Sequence, residues 1–300
     1  MTPNSPDKCG YVAIVGRPNV GKSSLLNRIL GQKLSITSRK PQTTRHQLLG
    51  IKTSGHVQTL YVDTPGLHKD DGKAINRYMN RTASSVITDV DVVVMVVDRL
   101  NWRDDDDVVL KCVRDSHVPT FLTINKVDLL HDKSRLLPHL EFAKAKMSFE
   151  EMIPISASTG HNVGKLEQLL TGYLPAGQHF FPGDQLTDRN ERFIAAEIIR
   201  EKITRQLGDE LPYEIAVQVD RFAEEKGAIQ IDATILVERE GQKGIVIGKQ
   251  GARLKKIGSQ ARRDIESFVS NKVTLKLWVR VRSGWSDSDR ALVSLGYESP

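Results

Sequence analysis

Three hundred residues with 39% hydrophobic and 27% charged side chains match ordinary globular chains, suit two domains better than one, and exclude a disordered polymer. The longest aliphatic run, Val92 to Val97, ends at Asp98, far short of a membrane span. Net charge is +6, but eleven Lys and Arg against Asp264 and Glu266 between Lys243 and Arg282 gather about +9 there, leaving about −3 elsewhere and pointing to a phosphate-rich partner for the C-terminal part.

The first ten residues lack the apolar core of a signal peptide, and Cys9 and Cys112 lie too far apart for a metal knuckle, so a cytoplasmic, reducing location is expected. Tyr11 to Val15 reads as a buried strand and Ser23 to Leu30 as a helix. Between them, Gly16-Arg17-Pro18-Asn19-Val20-Gly21-Lys22-Ser23 has the phosphate-loop spacing in the strand-loop-helix setting that gives the motif meaning. Its glycines let backbone N–H groups point at phosphate oxygens at a helix N-terminus. Lys22 is expected to reach the β- and γ-phosphates and Ser23 to offer a hydroxyl to Mg²⁺, with Gly16, Asn19, Val20, Gly21 and Ser24 completing the nucleotide-binding run.

Gly31 to His46 is a long polar loop, and loops of that length are usually functional. Strands at Leu48 to Lys52 and Val57 to Val62 follow, the second ending in Asp63-Thr64-Pro65-Gly66. A carboxylate at a strand end beside a glycine suits a metal-dependent phosphate switch, with Asp63 holding Mg²⁺ through water and Gly66 sensing the γ-phosphate. A helix from Ala74 to Val86, a buried strand from Val90 to Val97, a helix from Asp105 to Val113 and a strand from Thr120 to Ile124 lead to Asn125-Lys126-Val127-Asp128. Asp128 can accept from the N1–H and 2-amino group of guanine, an edge adenine lacks. The Lys126 stem can lie over the purine, Asn125 can tie this loop to the phosphate loop, and after the strand Met152 to Ile155 an amide of Ser156-Ala157-Ser158 can donate to guanine O6. Alternating strands and helices imply an α/β domain with a mostly parallel sheet over residues 1–174.

Leu174 to Asp184, with two prolines and two glycines, reads as linker, assigned to 175–190. A helix from Arg192 to Leu207, strands at Ile215 to Val219 and Ile229 to Val237 joined by a hairpin around Glu224 to Gly227, the run Ile245-Val246-Ile247-Gly248-Lys249-Gln250-Gly251, a basic helix from Arg253 to Phe268 and a strand from Val273 to Val279 follow. That helix-strand-strand-helix-helix-strand order around a Gly-x-x-Gly turn resembles a type II KH module, a smaller α+β domain over 191–282 that grips single-stranded nucleic acid. Ile247, Gly248, Lys249, Gln250, Gly251, Arg253, Lys255 and Lys256 are its expected RNA contacts. The alternative ligand for a basic helix is an anionic lipid surface. The tail, 283–300, carries little beyond a short helix near Ala291.

Phosphate loop, Thr43-Thr44, Asp-Thr-Pro-Gly, Asn-Lys-Val-Asp and Ser-Ala-Ser together resemble the five motifs of a translation-factor-class GTPase. One such domain followed by a KH domain, with Gln42-Thr43-Thr44-Arg45-His46 in the switch loop, is similar to the Era family. The resemblance implies GTP hydrolysis with GTP or GDP and Mg²⁺ bound, Mg²⁺ held by Ser23, Thr44 (Thr43 is the alternative) and Asp63, and a catalytic set of Lys22, Thr44, Asp63 and Gly66. It also implies a small-ribosomal-subunit assembly factor gripping the 3′ end of the small-subunit rRNA, with peripheral contact at the inner membrane; a monomer is expected, and Asn19 is a candidate K⁺ site because this loop resembles that of several bacterial GTPases that hold K⁺ with the matching Asn. Leu67 stands where Ras-like GTPases carry the water-orienting Gln, so slow intrinsic hydrolysis is expected. Two other classes remain open at this point: a P-loop ATP-dependent kinase or helicase-like enzyme, and a passive RNA binder with a structural nucleotide site.

Overall fold

In the computed structural model, which describes residues 6–38, 40, 43–67, 72–207, 214–225 and 227–297, the β-branched opening run forms β1 (Lys8–Val15), fully buried from Val12 onward. β1 pairs in parallel with β3 (Val57–Asp63) on one side and β4 (Val92–Asp98) on the other. β5 (Thr120–Asn125) and β6 (Glu151–Pro154) extend the sheet in parallel, and β2 (Leu48–Ser54) closes the far edge antiparallel to β3. The order is β2-β3-β1-β4-β5-β6. All seven residues of β4 are buried, as a strand covered on both faces requires. β1, β3, β4 and β5 end at the same edge, which brings the phosphate loop, Asp63, Asp98 and Asn125 together where ligands of open α/β sheets bind.

The covering helices are α1 (Lys22–Leu30), α2 (Ala74–Thr88), α3 (Asp104–Ser116), α4 (Leu136–Lys146) and α5 (Val163–Leu170). The sequence reading gives neither α4 nor α5. In α4 only Ala143 is buried while Leu137 and Phe142 face solvent, so no apolar stripe marks it. In α5 the stripe Val163, Leu166, Leu170 spans only two turns.

The C-terminal half is α6 (Glu191–Gln206), β7 (Ile215–Glu225), β8 (Ala228–Val237), α7 (Glu240–Ile247), α8 (Ala252–Val269) and β9 (Val273–Val281), with sheet order β7-β8-β9 and β9 parallel to β8. Gln42 of the switch-loop motif, Lys226 of the expected hairpin turn and residues 298–300 of the tail lie outside the described residues.

The segment read as linker runs along the first sheet: Pro175 and Leu186 carbonyls accept from the amides of Cys9 and Ile51 at 3.2 and 2.8 Å. The tail is core. Trp285, Leu292 of α9 (Asp289–Ser294) and Tyr297 are buried against Ala74, Ile75, Tyr78 and Met79 of α2 and Leu236 of β8. Helix α6 is buried on most of its circumference, with Arg200, Glu201 and Lys202 enclosed beside its isoleucines.

Candidate functional site

Gly21, at φ +105, caps α1 and closes the phosphate loop, where an added Cβ would lie 2.2 Å from the Asn125 amide nitrogen; only glycine allows that approach. Asn125 Nδ2 donates to Val20 O at 2.8 Å while its Oδ1 accepts from Ala157 N at 3.0 Å, so one buried side chain ties all three base-site loops together. Lys126 Nζ donates to Asn19 O at 2.7 Å and pairs with Asp98 at 3.1 Å, laying its stem along the loop. Ser158 Oγ donates to Asp128 at 3.2 Å. The Asp128 carboxyl is held below its usual range, chiefly by a hydrogen bond from Ser156 and further by Ser158 and Lys126, so it presents an ionised acceptor at the mouth of the site.

A cavity of about 440 Å³ lies over the loop, walled by Pro18, Asn19, Gly21, Lys22, Ser23 and Ser24 on one side, Ile36 to Ser38, Thr43 and Thr44 on another, and Gly66, Lys126 and Leu129 around the rim. Lys22 Nζ donates to Gly16 O at 2.8 Å and Arg17 O at 3.1 Å. Burial pushes Lys22 down to about 8, with Asp63 opposing the shift. Gly66 packs so close that a Cβ would come 2.7 Å from Pro18 N, which sets it directly against the phosphate loop.

The metal-type residues converge. Ser23 Oγ lies 2.7 Å from Thr44 Oγ1 and donates to Asp63 Oδ2 at 2.7 Å. Thr43 instead bonds Ser38 Oγ and Lys40 O, each at 2.6 Å, so of the two threonines Thr44 is the one facing Ser23. Asp63 is fully buried, and burial raises its carboxyl above the usual range against the pull of Lys22, Ser23 and Ser35. Its Oδ1 has no hydrogen-bond partner. The converging oxygens of Ser23, Thr44 and Asp63, with the second Asp63 oxygen left without a partner, fit a hard cation such as Mg²⁺. Among the described residues no group of three or more His, Cys, Asp or Glu is placed to hold a metal ion.

Several participants escape sequence reasoning. Ser35 donates to Asp63 at 2.8 Å and is itself fixed by Asn27, whose Oδ1 accepts from the amides of Leu34 and Ser35. Arg17 is buried against Asp106, with Nε 3.0 Å from Oδ2, bracing the loop from below. Most of all, the switch loop is splinted along α6. Glu201 Oε1 accepts from Thr37 N at 3.1 Å, Arg205 Nε and Nη2 donate to Thr37 O and Oγ1 at 3.0 and 2.9 Å, and Arg200 donates to Thr43 O at 2.5 Å. Glu201 Oε2 also meets Lys33 Nζ at 2.5 Å. Lys33 and Lys202 in turn reach Asp264 on α8. The apolar spacing of α6 hides this charged face. Beyond Thr44, Arg45 is enclosed and donates to Ile215 O at 2.7 Å, and His46 stacks on Tyr297 at 4.3 Å. Burial drives His46 down to about 4, so it is neutral.

In the second domain Gly248 (φ +72), Gln250 (φ +50) and Gly251 (φ +76) form the turn between α7 and α8, with Lys249 and Gln250 exposed at its tip. A Cβ on Gly248 would lie 2.7 Å from Arg253 Cβ, whereas Gly251 faces open space. A groove of about 400 Å³ between α8 and β9 is lined by Gly251, Leu254, Lys255, Gly258, Ser259, Arg262, Leu275 and Leu277. Of the expected contacts, Gly251 and Lys255 line it, whereas Ile247, Gly248, Lys249, Gln250, Arg253 and Lys256 do not. Arg253 donates to Ile245 O at the end of α7. The sequence reading does not give the groove wall from β9, because Leu275 and Leu277 look like ordinary core positions of a strand.

Residues 11–126 match the family described as 50S ribosome-binding GTPase and residues 210–286 match the KH domain. The chain is 58% identical over 297 residues to GTPase Era of Pseudomonas putida (strain W619), covering 99% of each. It is 59% identical over the same length to GTPase Era of Pseudomonas syringae pv. tomato (strain ATCC BAA-871 / DC3000). Among solved structures it superposes on a point variant of Aquifex aeolicus Era bound to GDP·AlF4⁻ and on Era in complex with MgGDPNP and nucleotides 1506–1542 of 16S ribosomal RNA. Each match has a TM-score of 0.94 at 36% identity, over 97% of this chain and 99% of that one.

Proposed function

The chain belongs to the Era family of GTPases and hydrolyses GTP, and from that premise we propose that it is a switch whose KH domain binds the 3′ end of small-subunit ribosomal RNA during 30S maturation. A relative solved with 16S ribosomal RNA nucleotides supports the RNA. Relatives solved with GDP·AlF4⁻ and MgGDPNP support the ligands. The observation that carries the switch is the splint: Thr37 and Thr43 of the loop that carries Thr44 are held by Glu201, Arg205 and Arg200 of the KH-side helix α6.

Gly16 to Ser24 cradle the phosphates; Asn125, Lys126, Asp128, Ser156 and Ala157 form the base site. Ser23, Thr44 and Asp63 hold Mg²⁺, which when bound neutralises charge building on the β- and γ-phosphates. Lys22 adds positive charge there, and the Gly66 amide reports the γ-phosphate. Water attacks the γ-phosphorus as its bond to the bridging oxygen breaks. Leu67 is only 2% exposed and packs in the core, so it orients no water. Asn19, in a left-handed turn on the cavity wall, would hold K⁺, which would supply the charge that an arginine finger provides elsewhere. Loss of the γ-phosphate frees Thr44, loosens the splint and releases RNA. Gly248 to Gly251 and the groove beside them take the RNA, with Ile247, Arg253, Lys255 and Lys256 around it. The protein works as a cytoplasmic monomer with peripheral contact at the inner membrane; no described helix is long and apolar enough to cross one.

The test is single-turnover hydrolysis with and without a 3′-end RNA. Faster turnover with RNA supports a coupled switch. Turnover that ignores RNA contradicts it.

A further inference from the structure

The basic charge of the second domain is not exhausted by the Gly-x-x-Gly turn and α8. Strand β9 alternates cleanly. Leu275, Leu277, Val279 and Val281 turn inward, and the first two wall the groove. Lys276, Trp278 and Arg280 share the opposite face, continued by Lys272 before the strand and Arg282 after it, all exposed. Trp278 is 44% exposed, unusual for so large an apolar side chain. Neither Lys276 nor Arg280 forms an ion pair with a described residue, although Asp232 is the register partner of Lys276. β9 is the edge strand, so its two faces meet at a border that no described strand covers.

Same-face residues on a strand lie on the order of 7 Å apart, comparable to the phosphate repeat of an extended single strand. An aromatic face between cations is how proteins hold successive unstacked bases along a backbone. A KH turn clamps only about four nucleotides, so a longer RNA must leave the groove on one side or the other. We propose that the outward face of β9 is a second RNA subsite, in which a base of single-stranded RNA leaving the α8–β9 groove stacks on Trp278 while Lys276 and Arg280 hold the flanking phosphates. This rests on the reading of the domain as an RNA binder and adds the place where the strand goes next.

The test uses the full chain, saturated with a GTP analogue, and two single-stranded RNAs copying the 3′ end of small-subunit rRNA, about five and about twelve nucleotides long, so that only the longer one outreaches the clamp. Trp278→Ala is expected to weaken the long RNA roughly tenfold. It should leave the short RNA and GTP hydrolysis unchanged, and Trp278→Phe should recover most of the loss. Lys276→Ala with Arg280→Ala should flatten the salt dependence for the long RNA by about 0.7 per cation in log–log slope. Unchanged affinity for the long RNA in both variants, with short-RNA binding intact, overturns the subsite and assigns the cations to edge protection. Equal loss for short and long RNA also overturns it, since the groove itself is then disturbed. If wild-type chain binds neither RNA, the RNA-binding reading fails first.

Discussion

Replacing Glu201 tests whether the RNA-binding half holds the GTPase switch. Its side chain is fully buried on α6 and meets Thr37 N, Arg205, Lys33 and Lys202. Removing it strands little charge: the Lys33 and Arg205 side chains are 39% and 46% exposed and can turn to water, and Lys202 keeps Asp264. The roughly 3–5 kcal/mol typical of breaking a fully enclosed ion pair therefore does not apply. What is lost without replacement is the charged acceptor of the Thr37 amide, worth about 1.5–3 kcal/mol. On the switch reading, that acceptor matters while the γ-phosphate holds Thr44 in place. Glu201→Ala should therefore lower single-turnover GTP hydrolysis by roughly ten- to a hundredfold. GTP-analogue affinity should fall by no more than that, and GDP affinity should hold, because GDP has no γ-phosphate to draw Thr44 inward. Glu201→Gln keeps a carbonyl acceptor and should retain most of the activity. Fluorescent-nucleotide titration and quench-flow read all three quantities. Equal weakening of GDP and GTP analogue, or an unchanged rate in a folded Glu201→Ala chain, would refute the splint.

Lys22 gives a pH signature. Its pKa of about 8 in the folded chain lies below its ordinary 10.5, so the unfolded chain binds more protons between those values and stability of the nucleotide-free protein rises with pH across that window. Phosphates restore the charged form, so GDP binding near pH 9 should take up as much as one proton and near pH 7 almost none; calorimetry in buffers of different ionisation enthalpy measures this, and no buffer dependence at pH 9 contradicts it. Hydrolysis should be faster in K⁺ than in Na⁺ at equal ionic strength; equal single-turnover rates dispose of the role given to Asn19. In the KH turn, Gly248→Ala should distort the loop, since its Cβ meets Arg253 at φ +72, whereas Gly251→Ala faces open space and should cost about 1 kcal/mol of backbone strain; RNA titration and thermal melts of both variants check this, and equal effects would contradict it.

The nucleotide site was legible because its chemistry is carried by short contiguous runs. Gly16 to Ser23, Asp63 to Gly66 and Asn125 to Asp128 each need particular residue types at fixed spacing, at the ends of strands whose apolar runs are equally plain. The KH turn was legible for the same reason. What escaped depends on partners far along the chain. Glu201 looks like one more polar position on an amphipathic helix until Thr37 is laid against it. Trp285 and Tyr297 look like tail residues until α2 covers them. Ser35 carries no local signal, since its role comes from Asn27 placing it over Asp63. Helix α4 escaped because it presents Leu137 and Phe142 to solvent, so burial leaves no period to read.

The most direct measurement is binding of single-stranded RNA copying the 3′ end of small-subunit rRNA, with GDP or with a non-hydrolysable GTP analogue, across a salt series. A base-sequence preference and tighter binding in the GTP-analogue state are expected, with RNA tightening the analogue by the same factor. Salt-sensitive binding that ignores both base sequence and nucleotide would contradict the switch and leave a GTPase joined to a generic basic surface.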